Sequence, residues 1–141
     1  MEPRDALLKA AIFSDLGPDS IDPLARAATV REFRAGEILE KEGENAVALH
    51  VMVSGEAEVV KGLGGDERVL GKLSAGDFFG EMALLDGFPR SASVRATTDC
   101  EVIALTRWDF LGVLRSDIEV ALAMLPVLSR RLRECEDMLL P

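Results

Sequence analysis

Between residues 29 and 107 the chain is a succession of short β-prone runs, each ended by Gly, Asp, Asn or Ser, and this pattern leaves few folds open. The runs span residues 29–33, 38–41, 48–53, 57–62, 67–73, 91–96 and 102–106. Short strands joined by glycine turns cannot each bury a face alone, so together they predict a sandwich or barrel. Residues 62–66, Gly-Leu-Gly-Gly-Asp, have the composition of a hairpin turn and are assigned no function. Helical spacing of apolar residues brackets the β region. Residues 6–13 and 19–28 precede it, with Asp19 or Ser20 as the expected N-cap of the second piece. Residues 108–114 and 117–139 follow it, with Ser116 as the expected cap. In the last helix Ile118, Ala121, Leu125, Leu128, Leu132, Cys135 and Leu139 alternate three- and four-residue steps. Such a stripe packs either on the protein's own barrel or on a partner helix, and Pro126 predicts a kink or a restart within it. Trp108 and Phe110 are expected in the core.

A chain of 141 residues with 48% hydrophobic residues is expected to form one domain, 1–141, with a core large enough to need no disulfide. Its two cysteines, Cys100 and Cys135, have no metal-like spacing and fit a reduced, cytoplasmic setting. The opening Met1-Glu2-Pro3-Arg4-Asp5 lacks the order of a signal peptide, and no apolar run approaches the roughly 18 residues of a membrane helix, so no membrane insertion is expected. A formal charge of −9 argues against direct nucleic-acid binding, which depends on Lys and Arg neutralising many phosphates.

Residues 79–94 contain the parts of a small-anion site. Gly80 lets backbone approach a ligand, and a short helix-compatible run opens at Glu81 with outward amides at its start. Arg90 follows a Gly-Phe-Pro turn and precedes Ser91, so a planar cation and a hydroxyl meet the same anion from another side. Glu81 only accepts hydrogen bonds; its natural partner is a sugar hydroxyl beside the phosphate. Taken singly, Glu81 and Arg90 are also what a structural salt bridge would use, but that does not explain the flanking Gly-x-Pro and Ser-Ala-Ser.

These residues resemble the phosphate-binding cassette of the cyclic nucleotide-binding domain family: Phe-Gly-Glu, apolar residues, a Gly-x-Pro turn, then Arg, a small residue, Ala and a β-branched strand. The glycine turns around Gly36, Gly43, Gly55 and Gly76 fit the same family, and the likeness runs over essentially the whole chain, toward both the catabolite-activator type and the cyclic-nucleotide-gated channels. The resemblance implies a mainly β fold: an antiparallel jelly-roll barrel (29–106) with N-terminal helices (1–28) and a C-terminal helical pair (107–141). It implies that Glu81 meets the ribose 2′-hydroxyl, that Arg90 holds the cyclic phosphate with Ser91 and Ala92 beside it, and that Gly80, Met82 and Ala83 contribute backbone. It places the last helix over the base as a lid. Arg130, Arg131, Arg133, Glu134 and Cys135 occupy that stretch, with Arg130, Arg133, Glu134 and Cys135 as the expected lid residues.

The expected function is a cyclic nucleotide sensor, not an enzyme, with no cofactor beyond its ligand. The resemblance implies cyclic AMP over cyclic GMP, because Ser91 stands where, in that family, a Thr tends to accompany cyclic GMP selectivity. Ligand binding would move the last helix against an effector or a second copy in a homodimer; the alternative is an interaction module of the same fold with a vestigial pocket. Transcription factors of the family would continue beyond Pro141 into a helix-turn-helix. A cupin-like metalloenzyme, the competing jelly roll, needs several histidines, and His50 is the one in the chain, expected as a packed or half-exposed strand residue. Ser91, Ser93 and Cys100 have no base placed to activate them.

Overall fold

A computed structural model describes residues 2–45, 48–87 and 90–139, without the side chains of Ala11 and Ala83. Helix α1 (Pro3–Lys9), a 3₁₀ turn (Ala11–Phe13) and α2 (Pro18–Ala27) open the chain. Strands β1 (Thr29–Phe33), β2 (Ile38–Glu40), β3 (Ala48–Ser54), β4 (Ala57–Lys61), β5 (Arg68–Leu73) and β6 (Phe78–Phe79) come next. The short α3 (Glu81–Asp86), β7 (Ser93–Ala96) and β8 (Cys100–Thr106) lead into α4 (Arg107–Ser116) and α5 (Ile118–Leu139). The strands form two four-stranded antiparallel sheets, ordered β1-β8-β3-β6 and β2-β7-β4-β5, as expected of the jelly roll.

Side-chain parity divides the core in two. On β3, Leu49 and Val51 point to the helices and pack with Ile103 and Leu105 of β8 against Leu7, Phe13, Ile21, Leu24, Phe110 and Met124. Met52 points the other way, into the space between the sheets, with Phe33, Leu39, Phe79, Val94 and Val102. Both faces of β3 are therefore covered, and its first five residues are all buried. His50 has the parity of Met52 and is drawn inside the sandwich, 4% exposed, so of the two settings expected for it the packed one holds.

Several local expectations need correction. Helix α2 begins one residue early, at Pro18 behind Gly17, because proline's fixed φ and missing N–H suit the first helical turn. Ser116 does not cap α5; its hydroxyl donates back to the Gly112 and Val113 carbonyls at 3.2 and 3.1 Å, and the Asp117 carboxylate accepts the Glu119 amide at 3.1 Å. Pro126 does not restart the last helix: α5 is one element of 22 residues, and Pro126 lies on its exposed side, where water can satisfy the carbonyl left without a donor. Phe110 is buried, 6.2 Å from the ring of Phe13, whereas Trp108 is exposed, since two helical residues point about 200° apart. Strand β6 was not expected; two residues are too few for a periodicity.

The apolar stripe of α5 also divides. Its buried face is Val120, Met124 and Val127. Of the expected seam, Ile118, Leu125, Leu132, Cys135 and Leu139 are exposed and Ala121 and Leu128 half-buried, so most of it faces away from the barrel.

Candidate functional site

The cassette begins where β6 ends. Gly80 has φ +88°, a conformation open to glycine, and this turns the chain from β6 into α3, of which Glu81 is the first residue. A Cβ at Gly80 would collide with Nη1 of Arg90 and lie 2.7 Å from the carbonyl oxygen of Ala48. The missing side chain is thus the space through which Arg90 passes.

Arg90 is held at both ends. Its backbone N–H donates to Glu44 O and its carbonyl accepts from Gly43 N–H, each at 2.9 Å, which ties the cassette to the turn after β2. The expected Gly-x-Pro turn at Phe88 and Pro89 lies outside the described residues. The guanidinium donates from Nη2 to Ala48 O at 2.6 Å and pairs with Oε1 of Glu40, both side chains being at least nine-tenths buried. Burial works to lower the Arg90 pKa, opposed by the charges of Glu40 and Glu81, and the group remains a cation.

Glu81 is close enough to act on the charge of Arg90, yet its direct partner is another residue. Its Oε1 accepts from Nη2 of Arg131 on α5 at 2.8 Å. The simple Glu81–Arg90 salt bridge is therefore absent, and each residue has its own counter-charge. Arg131 Nη1 is buried with no hydrogen-bond partner among the described residues. Arg131 extends the buried face of α5 by one further four-residue step from Val127, a signal in the spacing that sequence reasoning passed over.

The expected lid residues do not share this contact with Glu81. Arg130 pairs with Asp15 at 3.1 Å, on the N-terminal side, and Arg133, Glu134 and Cys135 are exposed on α5. Met82 is also exposed. Ser91 is exposed, its carbonyl accepting from Lys61 Nζ at 2.6 Å; Ala92 is half-buried. Ser93 Oγ accepts the Glu42 amide at 2.9 Å, and the Glu42 carboxyl is held below its ordinary range chiefly by the Gly62 N–H and then by Lys61. Arg90 and Ser91 are thus fixed to the turn after β2 and to the end of β4, the two strands that flank β7. Cys100 is buried, 3.1 Å from the Glu56 carbonyl oxygen, and burial raises its pKa, so it is a poor nucleophile. Among the described residues no cluster of His, Cys, Asp and Glu could hold a metal, and no helix is long and apolar enough to cross a membrane.

The model of the cyclic nucleotide-binding domain matches residues 30–117. The chain is 37% identical over 126 residues to the cyclic AMP receptor protein of Thermus thermophilus, 89% of this chain and 58% of that protein. It is 40% identical over 108 residues to the cAMP-dependent protein kinase regulatory subunit of Emericella nidulans, 77% of this chain and 26% of that one. The chain therefore spans less than two thirds of either relative. Among solved structures, the N-terminal domain of a transcriptional regulator from Streptomyces coelicolor superposes with a TM-score of 0.89 at 28% identity, covering 97% of this chain and 96% of that one. The catabolite activator protein of Thermus thermophilus does so with a TM-score of 0.74 at 37% identity, covering 92% and 62%. The chain belongs to the cyclic nucleotide-binding domain family.

Proposed function

We propose that the chain is the sensing part of a cyclic AMP-regulated protein. Arg90 holds the cyclic phosphate, Glu81 accepts the ribose 2′-hydroxyl, and Ser91 adds a hydroxyl at the phosphate. The backbone of Gly80, Met82, Ala83 and Ala92 lines the approach. The observation that carries this reading is the convergence of Arg90 and Glu81 on the turn at Gly80, each already oriented by a partner other than the ligand. Relatives named for cyclic AMP in both the receptor-protein and kinase-regulatory groups favour that nucleotide over cyclic GMP. Ligand acts here by binding and not by being turned over, and the output is mechanical.

Arg131 is the mechanical link. It joins α5 to the residue that meets the ribose, so occupation of the site and the position of α5 are one equilibrium. Glu81 can accept from Arg131 and from a ribose hydroxyl together, since a carboxylate has about four acceptor positions. Calorimetric titration of nucleotide-stripped protein should show binding of cyclic AMP tighter than cyclic GMP. Arg131→Ala should weaken it about threefold to tenfold and remove ligand-dependent hydrogen-exchange protection from residues 128–139. A protein that binds neither nucleotide is the vestigial module instead.

The exposed seam of α5 supports a second copy of the chain as partner. Ile118, Leu125, Leu132 and Leu139 recur every seven residues and are between 60% and 84% exposed. Two such helices in parallel would bring Cys135 opposite Cys135. Mild oxidation should then give a disulfide-linked dimer that Cys135→Ser abolishes, the buried Cys100 being unreactive. A monomer by sedimentation, with no cross-link, would direct the seam to an effector.

A further inference from the structure

Glu40, His50 and Arg90 form a buried charged cluster beneath the cassette. Glu40 ends β2, whose pairing with β7 shifts register between Ile38 and Glu40; such an irregularity re-aims side chains, and the Glu40 carboxylate enters the sandwich with only 6% of its side chain exposed. There a single oxygen, Oε1, takes both Nη2 of Arg90 and Nδ1 of His50, the latter at 2.7 Å. His50 lies flat on Phe79, the residue before Gly80, with ring centroids 5.0 Å apart and planes at 19°. Its Nε2 is buried and has no hydrogen-bond partner among the described residues. Apolar side chains would fill this space at lower cost, since each of the three polar groups loses water on burial. Their arrangement instead places a titratable ring one carboxylate away from the guanidinium of the cassette.

We propose that Glu40 is the positioning residue of Arg90, and that the protonation of His50 sets how strongly Glu40 competes with the nucleotide phosphate for that guanidinium. The inference rests on reading Arg90 as the partner of the phosphate. With His50 neutral, Glu40, Arg90 and a bound phosphodiester carry two negative charges against one positive. Protonated His50 shares the Glu40 oxygen and brings the cluster to neutrality, so the anion binds the protonated form better. Binding is then linked to proton uptake, and affinity falls as pH rises.

The other charged groups near the cluster do not change this sign. Arg31 of β1, with Lys41 and Glu44 after β2, lines the same cleft of about 130 Å³, and none of the three is of the side-chain type that ordinarily changes charge between about pH 5 and 8. From α3, Glu81 is paired with Arg131. The neighbours of His50 across the sheet, Phe79 and Ala104, do not titrate. Because the chain has one histidine, the effect has one source.

The test is the dissociation constant of cyclic AMP by calorimetry between about pH 5.5 and 8 at constant salt, in pairs of buffers with different ionisation heats. Parent protein should bind about fivefold to tenfold more tightly at the acid end and take up protons. His50→Gln, which keeps a donor toward Glu40, should bind at the parent's weaker alkaline level with a flat profile. Glu40→Gln, which still accepts from Arg90 without the charge, should also be flat and no weaker than the parent at alkaline pH. A parent that binds with a flat profile and no proton uptake overturns the inference while leaving the proposed function standing, as does a pH profile that persists in both variants. Absence of binding at every pH overturns both.

Discussion

Arg90→Ala should lower the affinity for cyclic AMP by about thirtyfold to several thousandfold, the range that corresponds to the loss of about 2 to 5 kcal/mol when one side of a buried charge pair is removed. The same substitution tests the buried cluster by another route, because it strands the Glu40 carboxylate inside the sandwich. Stability should fall by about 3 kcal/mol, the low end for an uncompensated buried charge, since His50 remains on the same oxygen. Urea unfolding with an unchanged denaturant slope would report that loss. Arg90→Lys keeps the charge but not the planar guanidinium, whose Nη2 here serves both Glu40 and the Ala48 carbonyl, and it should fall between alanine and the parent. A folded Arg90→Ala protein with parental affinity would remove Arg90 from the site.

Gly80→Ala should be nearly as damaging although it adds a single methyl. The φ of +88° is unfavourable for any residue with a Cβ, at about 1 to 2 kcal/mol. The new carbon would also displace Arg90 Nη1 or the Ala48 carbonyl, and moving either disturbs the hydrogen bond from Arg90 Nη2 to that carbonyl. Together these predict a loss of about 2 to 4 kcal/mol in stability and of more than tenfold in affinity. Gly112→Ala is the control: it stands in α4 with nothing within 4 Å of an added Cβ and should be neutral or slightly stabilising. Equal behaviour of the two variants would show that the Gly80 turn does not hold Arg90 in place.

The candidate site was legible because its chemistry is local. Gly80, Glu81 and Arg90 lie within eleven positions of one another, and the turn and the helix start that relate them are set by neighbouring residues. The strand runs were legible for the same reason, with boundaries that differ from the observed ones by one or two residues at most sites. Where prediction missed, two faces of one element were both apolar. The stripe chosen on α5 is a sound heptad, but a second apolar row, Val120, Met124 and Val127, lies beside it, and the helical layer takes that row. Choosing between the rows requires knowing where the other helices lie. Arg131, the residue of α5 that pairs with Glu81, was passed over for the same reason, since it follows the buried row and Arg130, Arg133, Glu134 and Cys135 do not.

The amino-acid sequence by itself determined that this chain makes short antiparallel strands between helices, and that a glycine, a carboxylate and a guanidinium stand together in the pattern of a cyclic nucleotide cassette. Local backbone preference and apolar periodicity suffice for that. Only the tertiary structure decided who partners whom. Glu40 and His50 lie 50 and 40 positions before Arg90, and nothing in their own neighbourhoods marks them; closing the two sheets brings them onto one oxygen atom. Arg131 is 50 positions beyond Glu81 and meets it because α5 packs its buried face on the helical layer. Long-range pairing of charges depends on which surfaces lose water together, and that is settled when the layers assemble, not along the chain.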